Sequence, residues 1–200
     1  MDQTPLIGPA TDPFVLFGEW FGAAQAQDSM AEAMCLATVT AAGRPATRMV
    51  LLKDYSPAGF VFYTNSHSRK GGEIAGNPSG ALLFHWKPLA RQVRIEGVFG
   101  PVTPAEADAY FASRVRESQL GAWASLQSQT LPQRGDLVAR YREVEAKYAG
   151  GPVPRPPHWT GYRLVPDLIE FWQDVPNRLH DRLVFEREGS GPWKSRRLYP

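Results

Sequence analysis

From Ala33 onward the chain is written in short hydrophobic runs cut by turn residues, and that grammar excludes most folds. MCLATVT, ATRMVLLK, FVFYT, ALLFHWK and RQVRIEGVF come first, with the short PLA read among them. GYRLVP, LIEFWQ and RLVFER follow a proline-rich stretch. All are rich in β-branched and aromatic residues, and AAGRP and DYSPAG supply turns between them. The pattern predicts an antiparallel meander, sandwich or barrel. Helical signals surround it. Asp12 and Pro13 form an N-cap and first position ahead of Phe14, Phe17 and Phe21, with Leu16 and Trp20. Ser68 caps a short helix in SRKGGEIAGNP, and Thr103 and Glu106 make a capping box around Pro104. A polar helix is expected over Gln133 to Tyr148, and GGPVPRPPHW reads as a stiff extended linker. The fold expected is mainly β: a barrel with peripheral α-helices.

Length and charge narrow the function. A chain of 200 residues predicts one domain, over residues 13–200, preceded by a mobile arm at 1–12 that carries Pro5, Gly8 and Pro9. Hydrophobic content of 43% with 21% charged residues describes an ordinary globular protein. A net charge of +2 argues against nucleic acid or a membrane surface as partner. Cys35 is the single cysteine, read as a small buried hydrophobe, and the four histidines lack zinc-site spacing, so no metal is expected. Without a signal-peptide pattern or an apolar run of spanning length, a cytoplasmic location is expected. No nucleophile elbow, Walker loop or Rossmann glycine motif occurs.

Cations recur where apolar residues would otherwise run on. Arg48 and Lys53 bracket four hydrophobic residues. Arg69 and Lys70 stand at a predicted helix N-terminus, where a cation opposes the helix dipole unless an anion or a solvated charge pair accounts for it. Gln92, Arg94 and Glu96 share one strand face, which a solvated surface also explains. Tyr110, Arg114 and Ser118 fall at i, i+4 and i+8 of a helix, a grip for phosphate or an ordinary exposed side. Gln127 and Ser128 suit a polar ring edge, and Trp172 reads as a core aromatic before a lid over a flat ligand. Near the C-terminus, Arg178, His180 and Arg182 alternate as on one strand face. Like charges in that arrangement require an anion or carboxylates among them. His180 there suits a neutral hydrogen-bonding or relay role. The residues by themselves lead to a β barrel that binds one or two phosphorylated, aromatic small molecules.

The segments RMVLLK, GFVFYTN with SRKG, ALLFHW, RQVRIEG, YFASR with ESQLGAWASLQSQ, PRPPHWTGYRLVP, IEFWQ and RLHDR, in that order, resemble the pyridoxine (pyridoxamine) 5′-phosphate oxidase family from about Ala33 to Pro200. The resemblance implies an FMN-binding split β-barrel, a homodimer with FMN at the subunit interface. It implies oxidation of pyridoxine or pyridoxamine 5′-phosphate to pyridoxal 5′-phosphate, with dioxygen as acceptor and hydrogen peroxide as product. Carried over, the FMN set is Arg48, Met49, Val50, Leu51, Leu52, Lys53, Tyr63, Thr64, Arg69, Lys70, Gln92, Gln127, Ser128, Trp172 and Arg182. The substrate set is Lys53, Tyr110, Arg114, Ser118, Arg178, Leu179 and His180, with Arg178 and His180 nearest the chemistry. Val115, Ser66 and the segment Asp174–Asn177, with its stiffening Pro176, depart from the family pattern. Two alternatives stand beside this one. They are a related split-barrel flavin oxidase of the phenazine type, and a flavin- or pyridoxal-phosphate-binding module without turnover.

Overall fold

The computed structural model describes residues 6–200. Helix α1 (Pro13–Gln25) leads into strands β1 (Ala33–Val39), β2 (Pro45–Leu51), β3 (Asp54–Ser56) and β4 (Gly59–Asn65). Helix α2 (Arg69–Gly76) precedes β5 (Ser79–Trp86) and β6 (Arg91–Pro101). Helices α3 (Pro104–Ala112), α4 (Arg116–Ala124) and α5 (Arg134–Lys147) cover one side before β7 (Trp159–Gln173), β8 (Asp181–Glu186) and β9 (Lys194–Arg197). Every strand pairing is antiparallel, in the order β2-β1-β5-β6-β7-β4-β3, with β8 on β7 and β9 on β8.

Strand β7 divides the sheet. Its first half pairs with β4, Trp159 opposite Asn65 and Leu164 opposite Phe60. Its second half pairs with β8, Trp172 opposite Arg182. Strand β6 follows β7 along its length and shifts register between Glu96 and Gly97. A Cβ at Gly97 would lie 2.1 Å from the Val165 carbonyl oxygen, so only glycine lets the strands approach there and bend. The bend lets one sheet curl into a split barrel.

Its interior is aromatic. Phe17 of α1 is fully buried and meets Tyr55 and Phe60 at 4.9 Å and Phe84 at 5.3 Å between ring centroids. The Asp12 carboxylate accepts from the Phe14 N–H at 2.7 Å, fixing where this plug begins. Part of the expected arm, residues 1–5, lies outside the described residues. The described end is anchored: Ile7 is 1% exposed, its N–H donates to Asp181 at 2.8 Å, and Arg197 donates to its carbonyl at 2.5 Å.

Four local expectations are corrected. PLA is not strand but the end of a short 3-10 turn, Lys87–Leu89, because Ala90 takes a left-handed conformation (φ 53°) that closes the β5–β6 hairpin. Tyr110, Arg114 and Ser118 do not share one helix, since α3 ends at Ala112 and α4 starts at Arg116. Arg178 and His180 do not share a strand face with Arg182: Pro176–Arg178 is a 3-10 turn and β8 begins at Asp181. Cys35 is half-buried on the outer face of β1 rather than in the core, whose inward positions are Met34 and Leu36. No described helix is long and apolar enough to cross a membrane.

Candidate functional site

Strands β2 and β4, helix α2 and the α3–α4 junction enclose a cavity of about 470 Å³. Met49, Val50, Leu51 and Lys53 form one wall, and Tyr63, Thr64, Lys70 and Gln127 form another. Tyr110, Arg114, Val115, Ser118 and Trp159 complete it. The helix break at Ser113–Val115 achieves what one continuous helix was expected to do, because it turns the chain so that Tyr110, Arg114 and Ser118 still face one space. Val115, where the family pattern differs, opens α4 and stands 66% exposed at the rim. Of the remaining β2-segment residues, Leu52 lies in the core, and Arg48 points to α2. Ser128 is exposed in a left-handed turn (φ 71°) beside the cavity residue Gln127.

Cations along this wall are treated in two ways. Glu73, 7% exposed, accepts from Thr38 at 2.5 Å, Arg48 at 2.7 Å and Arg69 at 2.8 Å. Burial pushes its carboxyl up, but the hydrogen bonds from Thr38, Arg48 and Arg69 outweigh that and hold it below its ordinary value. Arg69 is thus the solvated i,i+4 partner of Glu73. Lys70 differs. Its Nζ donates only to the neutral acceptors Thr64 (3.1 Å), Ser68 (3.3 Å) and Gln127 (3.0 Å), and among the described residues no carboxylate pairs with it. Burial, then the Arg48 charge, pull its ammonium below the ordinary lysine value.

Arg114 also has no carboxylate partner among the described residues. Its guanidinium lies over the Trp159 ring at 5.0 Å and the Phe111 ring at 5.6 Å. One of its NH1 donors is buried with no hydrogen-bond partner. Burial lowers the pKa of the group from its ordinary value. Tyr63 stacks on Tyr110 at 4.1 Å and on Trp159 at 5.2 Å, which gives the cavity an aromatic floor. Gly161 makes room for it, since a Cβ there would sit 2.7 Å from the Tyr63 ring.

A second concavity of about 240 Å³, sharing no residue with the first, lies on the outer face of β5 to β8. Leu83, Gln92, Arg94, Glu170, Trp172 and Arg182 line it. Trp172 is therefore not a core aromatic, because its neighbour Phe171 takes the inward position. Glu170, 5% exposed, answers the charge question in this region: Arg182 reaches it at 2.6 Å and Arg94 at 2.6 Å. Arg182 also donates to the Tyr199 carbonyl at 3.0 Å. The His180 ring packs against Trp172 at 4.6 Å, tilted by 41°, and its Nδ1 faces the Asp174 carboxylate (2.9 Å) and the Val175 N–H (3.2 Å). Asn177 and Arg178 both hold φ near 61°, a left-handed conformation that non-glycine residues rarely adopt. Arg178 and Leu179 are exposed, and among the described residues the Arg178 side chain has no hydrogen-bond partner.

The sequence reading missed Trp159, Glu73 and Glu170. Each lies inside a quoted segment, but only the fold reveals that Trp159 underlies Arg114 and that one carboxylate serves two arginines. The expected flavin set, in turn, is split between two concavities of one chain.

Comparison with known proteins bears on that division. A family model described as pyridoxamine 5′-phosphate oxidase matches residues 23–148, more than half the chain. A model described as the pyridoxine 5′-phosphate oxidase C-terminal dimerisation region matches residues 159–200. The chain is 57% identical to a pyridoxine/pyridoxamine 5′-phosphate oxidase of Sphingopyxis alaskensis, over 94% of this chain and 88% of that protein. It is 54% identical to the protein of that name from Gluconobacter oxydans, over 100% of both chains. Its fold matches PhzG from Burkholderia lata 383, solved in complex with tetrahydrophenazine-1-carboxylic acid, with a TM-score of 0.90 and 35% identity. That match covers 96% of this chain and 94% of that one. A cavity lined by Lys53, Lys70 and Arg114, none of them paired with a carboxylate among the described residues, on a split barrel that aligns over nearly its whole length with these relatives, marks the chain as a member of the pyridoxamine 5′-phosphate oxidase family.

Proposed function

We propose that this chain oxidises pyridoxine 5′-phosphate, pyridoxamine 5′-phosphate or both to pyridoxal 5′-phosphate, with FMN as cofactor and dioxygen as acceptor. The observation that carries the reading is Arg114. A buried guanidinium donor without a partner is costly, and a dianionic ester supplies the acceptor it lacks. Tyr110, Ser118 and Lys53 stand on the same cavity and would share that phosphate. Lys70, at the N-terminus of α2 and held only by neutral groups, fits a second phosphate, that of FMN. Arg48 and Arg69 would join Lys70 there, with Glu73 setting their positions.

The divided flavin set supports a homodimer. Gln92, Trp172 and Arg182 lie on a separate outer face, so a complete site needs this face from a second copy. The dimerisation model covers Trp172 and the Arg178–Arg182 segment, which accords with that arrangement. Leu179, exposed beside them, would then be covered.

FMN, when bound, offers two-electron acceptance from the C4′ carbon, with reoxidation by dioxygen to hydrogen peroxide. The chain's own residues do the rest. The phosphate grip fixes one end of the substrate, which orients the ring and its C4′ substituent. A proton must also leave that substituent. His180, with its Nδ1–H donating to Asp174, would present the Nε2 lone pair for this transfer. Arg178, held in a left-handed turn and unpaired among the described residues, would supply a positive charge to the same step.

The test is aerobic turnover of the protein with FMN and pyridoxine 5′-phosphate, following pyridoxal 5′-phosphate and peroxide together, with Arg178→Ala in parallel. Matched product formation, lost in a variant that stays yellow, supports the proposal. The likeness to the Burkholderia lata structure favours one other reading, oxidation of an aromatic without a phosphate ester. Turnover of such a compound, with pyridoxine 5′-phosphate inert, would move the assignment there. A yellow protein inert toward both would be a binding module.

A further inference from the structure

Several arginines of the barrel are neutralised by carboxylates. Arg48 pairs with Glu73, Arg94 and Arg182 with Glu170, and Arg163 with Glu106. Arg114 is the exception on the cavity wall: its neighbours are ring faces. We infer that Trp159 is a positioning residue of the phosphate grip, holding the Arg114 guanidinium by its π face in place of a carboxylate, so that the cation is fixed without being neutralised. The inference rests on the substrate reading above and extends it to a residue outside the expected site.

The geometry suits that role. Trp159 is 6% exposed and opens β7, where Asn65 lies opposite. Arg155 donates to its carbonyl at 2.7 Å. Its ring lies within 8° of parallel to Tyr63 and Tyr110, and Phe111 meets it edge-on at 5.1 Å. The ring has no free rotamer, and the guanidinium above it is correspondingly confined. A carboxylate at this place would confine Arg114 equally well, but it would repel an incoming phosphate and satisfy the donors that the phosphate needs. An aromatic face attracts the cation and leaves its in-plane N–H groups free.

The experiment uses the FMN-loaded protein with Trp159→Leu, Trp159→Phe and Arg114→Ala. Dissociation constants for pyridoxal 5′-phosphate and for unphosphorylated pyridoxal are measured side by side, with steady-state constants for pyridoxine 5′-phosphate. Trp159→Leu is expected to weaken pyridoxal 5′-phosphate by about 5- to 30-fold, the range of a desolvated cation–π contact, and to leave pyridoxal unchanged. KM for the ester rises more than kcat falls, and Trp159→Phe recovers most of the loss. Equal weakening of both ligands would show a structural role only and overturn the inference. Retention of pyridoxal 5′-phosphate by Trp159→Leu, with loss in Arg114→Ala, would overturn it while the substrate reading stands. A wild-type protein that binds pyridoxal as tightly as its phosphate, with Arg114→Ala neutral, would remove both. If Trp159→Leu does not fold, Trp159→Phe decides: a loss of about 2- to 5-fold confined to the phosphorylated ligand supports the inference, and an equal loss for both ligands overturns it.

Discussion

Replacing Glu73 by leucine probes how the cationic wall is held together. The change strands Arg48, whose side chain is 20% exposed, and removes the acceptor at 2.5 Å from the buried Thr38 hydroxyl. Breaking a buried pair from one side costs about 3–5 kcal/mol. Arg48 retains some contact with water, which lowers the figure, and Arg69, 66% exposed, adds under about 1 kcal/mol. The expected loss is about 2–4 kcal/mol. With a urea dependence of about 2–3 kcal/mol per molar, the midpoint falls by about 0.7–2 M. Tryptophan fluorescence during urea unfolding reads this directly, at fixed protein concentration and without FMN, because dimerisation and ligand both shift the midpoint. Arg48→Met combined with Glu73→Leu should recover most of the loss, since an apolar pair leaves no charge stranded. A single variant within about 0.3 M of wild type, or a double variant below the single, would refute the reasoning. The pH dependence gives a second check. Glu73 is held below its ordinary 4.5 in the folded chain, so its stabilisation is complete above 4.5 and fades as pH falls through the lower folded value. Glu73→Gln should flatten that acid limb.

Other outcomes follow from the same site. Gly161→Ala pushes a methyl group to 2.7 Å from the Tyr63 ring and 2.9 Å from Val102, so a loss of about 1–3 kcal/mol in thermal unfolding and weaker FMN binding are expected. Wild-type stability with unchanged FMN affinity would show that the ring moves freely. Arg178→Gly should raise stability by about 0.5–1 kcal/mol over Arg178→Ala by relieving the left-handed backbone, while both abolish turnover. Unfolding midpoints and product assays separate these effects. Burial, followed by Arg48, pulls Lys70 below its ordinary 10.5, and the protonated form is the one that binds phosphate. FMN affinity should therefore fall as pH rises through that lowered value, and Lys70→Arg should abolish this alkaline loss. A titration in which wild type and Lys70→Arg fall together would exclude Lys70 as the titrating group.

Local chemistry was legible in the chain. The Asp12 and Ser68 caps, the Thr103–Glu106 box and the alternation of Gln92, Arg94 and Glu96 all depend on neighbours within a few residues, and all appear where their sequence patterns place them. The strand-rich grammar likewise determined an antiparallel barrel, because periodicity and turn residues act over the same short range. What the tertiary structure decided involves partners far apart in sequence. Arg48 and Glu73 are separated by 25 positions and Arg94 and Glu170 by 76, so no pattern along the chain shows that one carboxylate holds two arginines. Trp172 faces outward because strand pairing gives Phe171 the core. Arg114 meets a ring face and not a carboxylate because β7 brings Trp159 beneath it. The residue types set the charges available; the long-range packing determines which charges are cancelled, and it leaves Lys70 and Arg114 free for an anion.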